Sequence, residues 1–158
     1  MRIFLSCLIV LIATSTLASA QSIAPRSGWQ IFDTDLAFED LVSRMESAIA
    51  AENMGLVAQA SASAGAKAQG IDIPGNRVMG VFRNDFARRM LEASIAAGIE
   101  APIRFYITEN EDGGSTLAWK TPSFVFAPYV LEGGEKLEAL AAELDVIFSN
   151  IGARALAQ

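Results

Sequence analysis

The sequence predicts an α+β fold: two layers, with a mainly antiparallel sheet of about five strands carrying three main helices on one face. Three observations carry that expectation. Residues 103–108 alternate, with Ile103, Phe105 and Ile107 on one side and Arg104, Tyr106 and Thr108 on the other, the period of a half-buried strand. Phe38, Leu41, Val42, Met45 and Ile49 recur at helical spacing, as do Leu137, Leu140, Ala141, Leu144, Val146 or Ile147, and Ile151. Between them, short runs follow the order β-α-β-(α)-β-α-β-β-α.

Each element has its own signal. Residues 28–32 are the expected first strand, and Asp33, Thr34 and Asp35 offer side-chain oxygens to cap the helix that follows. Gly55 stands where that helix should end, since glycine enters the left-handed region without steric cost. Residues 56–60 read as a second strand. The Ala-, Ser- and Gly-rich residues 61–70 read as a brief, weak helix, and 71–76 turn the chain around Pro74-Gly75. Residues 77–82 make the third strand. Asn84 or Asp85 then caps a helix with Phe86, Met90, Leu91 and Ile95 on its buried side, and Gly98 stops it. Residues 124–129 are apolar and read as a loop covering the core. The last helix runs from about residue 135 to 155.

The hairpin at 103–120 has a predictable register. A two-residue turn at Asp112-Gly113 would set Lys120 opposite Phe105, placing a charge on the apolar face. A three-residue loop, Glu111-Asp112-Gly113, pairs Phe105 with Trp119 and Ile107 with Leu117, and puts Gly113 at the position that needs a positive φ. Phe105 and Trp119 then belong to the core. The opposite face carries Arg104, Tyr106, Thr108, Ala118 and Lys120.

Composition narrows the chemistry. The 158 residues hold 12 Lys+Arg against 18 Asp+Glu, no His and one Cys. Without His there is no imidazole base, no Ser-His or Cys-His nucleophile and no His ligand for zinc. A net charge of −6 argues against nucleic acid, which needs a basic footprint. No phosphate-binding loop, nucleophile elbow or dinucleotide fingerprint is present. The acidic turn Glu109-Asn110-Glu111-Asp112 offers oxygen ligands but lacks the alternating spacing and closing Glu of an EF-hand loop. No metal or cofactor is implied.

Residues 1–20 have the order of a cleaved secretory leader: Met1-Arg2, an apolar run from Ile3 to Ala13, then Ala18-Ser19-Ala20. The run is about half of what a membrane span needs, so cleavage before Gln21 is expected, leaving one domain over 21–158. That removes Cys7, the single thiol, and with it disulfides and thiolate chemistry. The expected destination is the periplasm or the exterior, with no membrane span left.

In order and without a gap, the chain carries Ala101-Pro102, the strand 103–107, Glu109-Asn110-Glu111-Asp112-Gly113, Leu117-Ala118-Trp119 and Lys120-Thr121-Pro122. This run resembles the DUF302 family, whose name states that its function is unassigned. Upstream, Gly70-Ile71-Asp72-Ile73-Pro74 resembles the family's Gly-Leu-x-Leu-Pro. Val81-Phe82-Arg83-Asn84-Asp85 stands where many members have Val-Phe-Gly-Asn-Pro. The resemblance spans nearly all of 28–157 and implies a compact α+β domain that forms dimers. It supplies no catalytic residue. Many members carry an Asp-His pair at the level of Ser61-Ala62, and others a Cys after the Leu-Pro; this chain has neither.

Two candidate sites remain. Arg83 and Asn84 stand where a strand meets a helix N-terminus, whose free amides and dipole attract anions; plain capping is the competing role. Arg104, Tyr106 and Lys120 share one sheet face and could hold a small apolar or anionic ligand, or a second copy of the chain. The sequence therefore favours a non-enzymatic small-molecule-binding or protein-interaction module, exported and homodimeric. The alternative is a hydrolase or isomerase using carboxylate and arginine chemistry in a cleft.

Overall fold

The computed structural model describes residues 23–157, so the leader expected at 1–20 lies outside the described residues. Five strands form one antiparallel sheet in the order β1-β5-β4-β3-β2. They are β1 (Trp29–Thr34), β2 (Gly55–Ala60), β3 (Asn76–Phe82), β4 (Ile103–Glu109) and β5 (Ser115–Lys120). The helices are α1 (Phe38–Ala51), α2 (Ala62–Lys67), α3 (Asn84–Ala93), α4 (Pro122–Phe126) and α5 (Val130–Leu156).

The expected register holds at the β4–β5 hairpin. Phe105 pairs with Trp119 and Ile107 with Leu117. The Asn110 N–H donates to the Gly114 carbonyl at 2.9 Å, closing a loop in which Gly113 has φ 87°. One face of the sheet thus presents Met79, Phe105, Ile107, Leu117 and Trp119, all buried. Against it lie Leu41, Met45 and Ile49 of α1, Phe86 and Met90 of α3, and Leu137, Leu140, Phe148 and Ile151 of α5. Phe105 stacks on Phe148 at 4.7 Å between ring centroids and sits 5.3 Å from Trp119. Side chains of this size contribute about 1.5–3 kcal/mol each on burial, so this interlayer cluster holds the two layers together.

Helix boundaries depart from the sequence expectations for physical reasons. Asp33 and Thr34 do not cap α1, because pairing with Thr116 and Ser115 keeps them in β1. The capping position falls to Ala37, which has no side chain to contribute, and Glu39 and Asp40 supply negative charge to the first turn instead. Asn53, not Gly55, ends α1. At φ 56° it donates to the Ala50 carbonyl while Met54 donates to that of Ile49, and Gly55 is already in β2.

Asn84 and Asp85 lie inside the first turn of α3; Arg83, extended at φ −145°, holds the capping position. Leu91 and Ile95 are 46 % and 80 % exposed, outside the core expected for them. The helix ends before Ile95 because Ser94 turns extended, and its hydroxyl accepts from Ala97 N–H to cap a 3-10 turn over Ala96–Glu100. That turn contains Gly98, which therefore does not stop α3. The apolar stretch at 124–129 is helical rather than a loop. Thr121 caps α4 by accepting from Phe124 N–H, Pro122 occupies its first turn, and Phe126 is buried. Gly134 (φ 57°, ψ −156°) breaks α5, so its regular part starts at about the expected residue 135.

Candidate functional site

The face of the sheet away from α1, α3 and α5 is built by the alternate residues of the same strands. Cross-strand pairing sets Trp29 beside Lys120, Ile31 beside Ala118, Ala118 beside Tyr106, and Tyr106 beside Val78. Arg104 lies beside Gly80. This glycine is required: a methyl there would come within 2.8 Å of Pro102, whose ring leans onto the sheet.

These residues shape two adjoining hollows. One, of about 260 Å³, has Val78, Tyr106 and Ala118 as its floor, Trp29 and Val125 as walls, and Arg104 and Lys120 at its rim. The other, of about 240 Å³, runs over Gly80 and Ala58 beneath Ile99 and Pro102. Val78, Glu100 and Arg104 line both, so the two form one trough. Each alone falls just below the usual range of a ligand cleft, about 300 Å³ upward; together they enter it.

The trough is apolar below and cationic at its rim. Among the described residues, neither Arg104 nor Lys120 has an ion-pair or side-chain hydrogen-bond partner. The Lys120 ammonium lies 5.7 Å from the centre of the Trp29 ring, and the Arg26 guanidinium 5.0 Å from it, within the range of cation–π attraction. Glu100 is the acidic wall. Tyr129 donates its hydroxyl to Glu100 Oε1 at 2.8 Å, and that hydrogen bond raises the phenol's pKa above its ordinary value. Beyond the trough the face turns polar: the Thr116 hydroxyl, buried, lies 2.6 Å from Asp33 Oδ1 and 2.8 Å from Asn110 Oδ1.

Arg104, Tyr106 and Lys120 are thus brought together as their alternation foretold. Arg83 and Asn84 stand apart, in the helical layer. Arg83 Nε and Nη2 donate to the two oxygens of Asp85 at 2.7 and 3.1 Å, and the guanidinium lies 4.3 Å over the Phe86 ring. The bonds from Arg83 hold the Asp85 carboxyl below its ordinary range. The hollow beside Arg83 is about 30 Å³, room for a water or two. An anion there would have to displace Asp85.

Much of the trough escapes sequence reasoning, Trp29, Glu100 and Val125 above all. Trp29 reaches it through β1–β5 pairing, which no local spacing announces. Glu100 and Val125 arrive on a 3-10 turn and a short helix whose positions depend on tertiary packing. The acidic turn, for its part, spends its carboxylates on its own surroundings. Glu109 Oε2 accepts from Gly75 N–H at 2.7 Å and Asp112 Oδ1 from Gly114 N–H at 3.0 Å. Among the described residues no cluster of three acidic, His or Cys side chains is arranged to hold a metal ion. No described helix is long and apolar enough to cross a membrane.

Comparison with known proteins bears on the fold. No curated protein matches this chain. Among solved structures it is similar to an uncharacterized conserved protein DUF302 from Bacillus stearothermophilus, with a TM-score of 0.70 and 17 % identity. The match covers 82 % of this chain and 99 % of that one, and at such low identity it speaks for the fold alone. The family described as "Domain of unknown function DUF302" matches residues 31–153. With the match spanning the sheet and the helices that cover it, the chain belongs to the DUF302 family.

Proposed function

We propose that this protein is a non-enzymatic binding module whose open sheet face takes a small amphipathic anion, such as an aromatic or branched-chain carboxylate, sulfonate or phosphate. One observation carries the reading: two cations, Arg104 and Lys120, unpaired among the described residues, stand at the rim of an apolar hollow of about 260 Å³. An apolar body would cover the half-buried Val78 and Tyr106, and the anionic head would meet the guanidinium and ammonium. A second copy on this face is the other occupant that the sequence favours. A concave floor suits a small molecule better, because protein interfaces pack to the density of an interior.

Hydrolase or isomerase chemistry is the alternative. A general acid needs a carboxyl with a raised pKa, whereas Asp85 and Glu143 are both lowered, by hydrogen bonds from Arg83 and Arg89. Export through residues 1–20 would place the occupant outside the cytoplasm. Intact mass of an exported protein beginning at Gln21 supports that destination, and retention of residues 1–20 counts against it.

The test uses anilinonaphthalene sulfonate as the probe, followed by its fluorescence. Wild type should bind it at least tenfold more tightly than the Arg104→Ala/Lys120→Ala double variant, and more tightly than it binds an uncharged naphthalene. Equal affinities across these comparisons would sink the reading.

A further inference from the structure

The two edges of the sheet are not alike. At β2 the register slips between Leu56 and Ala58, a bulge of the kind that blunts an edge against further pairing. At β1 the six residues pair with β5 without a break, and the strand contains no proline or lysine.

The ladder fixes which groups of β1 are free. Thr121 N–H donates to the Gly28 carbonyl at 2.9 Å. By antiparallel alternation, Gln30, Phe32 and Thr34 then turn their amides and carbonyls toward β5, and Trp29, Ile31 and Asp33 turn theirs outward. Trp29 N–H is taken by the Arg26 carbonyl at 3.3 Å. Among the described residues nothing pairs with the amide or carbonyl of Ile31 or Asp33.

We infer that β1 pairs antiparallel with β1 of a second copy, about a two-fold axis at Ile31, making one continuous sheet across both protomers. The register is self-complementary, as a two-fold contact requires. Ile31 exchanges both backbone bonds with its symmetry mate, and Asp33 falls opposite Trp29. The Trp29 ring already holds the Arg26 guanidinium at 5.0 Å, so each Asp33 carboxylate, one oxygen of which meets the Thr116 hydroxyl of its own chain, is delivered with its second oxygen to that cation and leaves Lys120 to the trough. On the other face Phe32, 41 % exposed although stacked on Trp119 at 5.5 Å, gains cover from the opposing strand. An arbitrary extended peptide would satisfy the backbone alone; only the chain itself supplies the Asp33 carboxylate and the Arg26 guanidinium in matching register.

Sedimentation velocity across the micromolar range tests this. Wild type should sediment as a dimer. Ile31→Pro removes an outward amide and spares the bonds to β5, so it should sediment as a folded monomer. Asp33→Lys should also dissociate the pair, and adding Arg26→Glu should restore it. Tyr106→Glu, on the open face, should leave the dimer intact. A monomeric wild type, a folded Ile31→Pro variant that stays dimeric, or dissociation by Tyr106→Glu would each overturn the edge pairing. Should Ile31→Pro fail to fold, the Asp33→Lys and Arg26→Glu pair decides alone: no dissociation, or no rescue, overturns it.

Discussion

The two faces of one sheet are made from the same five strands, yet neighbouring residues have opposite fates. Phe105 is fully buried between Trp119 and Phe148, while Arg104 and Tyr106 on either side of it line an open trough. The covered face is occupied by volume and the open face by charge over a shallow apolar floor. Stability and the proposed binding are therefore carried by different residues at a spacing of one, and substitutions can be chosen to move one without the other.

The largest effect should come from Phe105→Ala. Deleting a fully buried ring costs about 3–5 kcal/mol, read as a fall in denaturant midpoint, and a loss under ~1 kcal/mol would mean that the layers are not held by this cluster. Gly113→Val comes next, at about 1 kcal/mol or more, because a β-branched side chain is strained at φ 87°. An unchanged midpoint would contradict the three-residue loop.

Gly152→Ala sets two effects against each other. Alanine favours a helix by about 1 kcal/mol over glycine, but the added methyl would come within 2.6 Å of the Trp119 ring. That ring is confined by Phe105 and Phe32, and overpacking costs about 1–3 kcal/mol, so a net loss is expected. A gain in midpoint would show that the interlayer contact yields. On the open face, Arg104→Ala should change stability by less than about 0.5 kcal/mol while weakening the sulfonate probe; a large loss of stability would end the separation of the two faces.

The smallest effect is acid dependence. Asp85 and Glu143 are lowered from 3.8 and 4.5 by Arg83 and Arg89. Their contribution to stability is complete above those ordinary values and is lost as pH falls through the lowered ones. Both carboxylates are about half exposed, at 47 % and 50 %, so screening keeps the effect well below about 1 kcal/mol. Asp85→Asn/Glu143→Gln should flatten the fall in midpoint between pH 5 and pH 3 (conditions on the order of these carboxyl pKa values). An unaltered slope would mean that the ion pairs are inert.

Local chemistry explains what could be foreseen. The β4–β5 register was legible because only one loop length keeps Lys120 off the apolar face, and the same alternation exposed Arg104, Tyr106 and Lys120 together. The capping of α1 was not, since Asp33 and Thr34 look like caps until their pairing with β5 is known. Ile95 looked like core because periodicity alone cannot see that Ser94 leaves the helix. Trp29 entered the trough by a contact between the first strand and the last, and long-range pairing leaves no mark on a short apolar run.

That contact has a consequence for synthesis. β1 is made first among the strands, but its partner β5 is made last. A growing chain that has reached residue 114 can assemble β2, β3 and β4 as neighbours, while Trp29–Thr34 still has nothing to pair with. Contacts so distant in sequence slow folding. The amino-terminal strand must therefore wait, unpaired on both sides, until most of the polypeptide exists, and only then does the sheet acquire its outer strand.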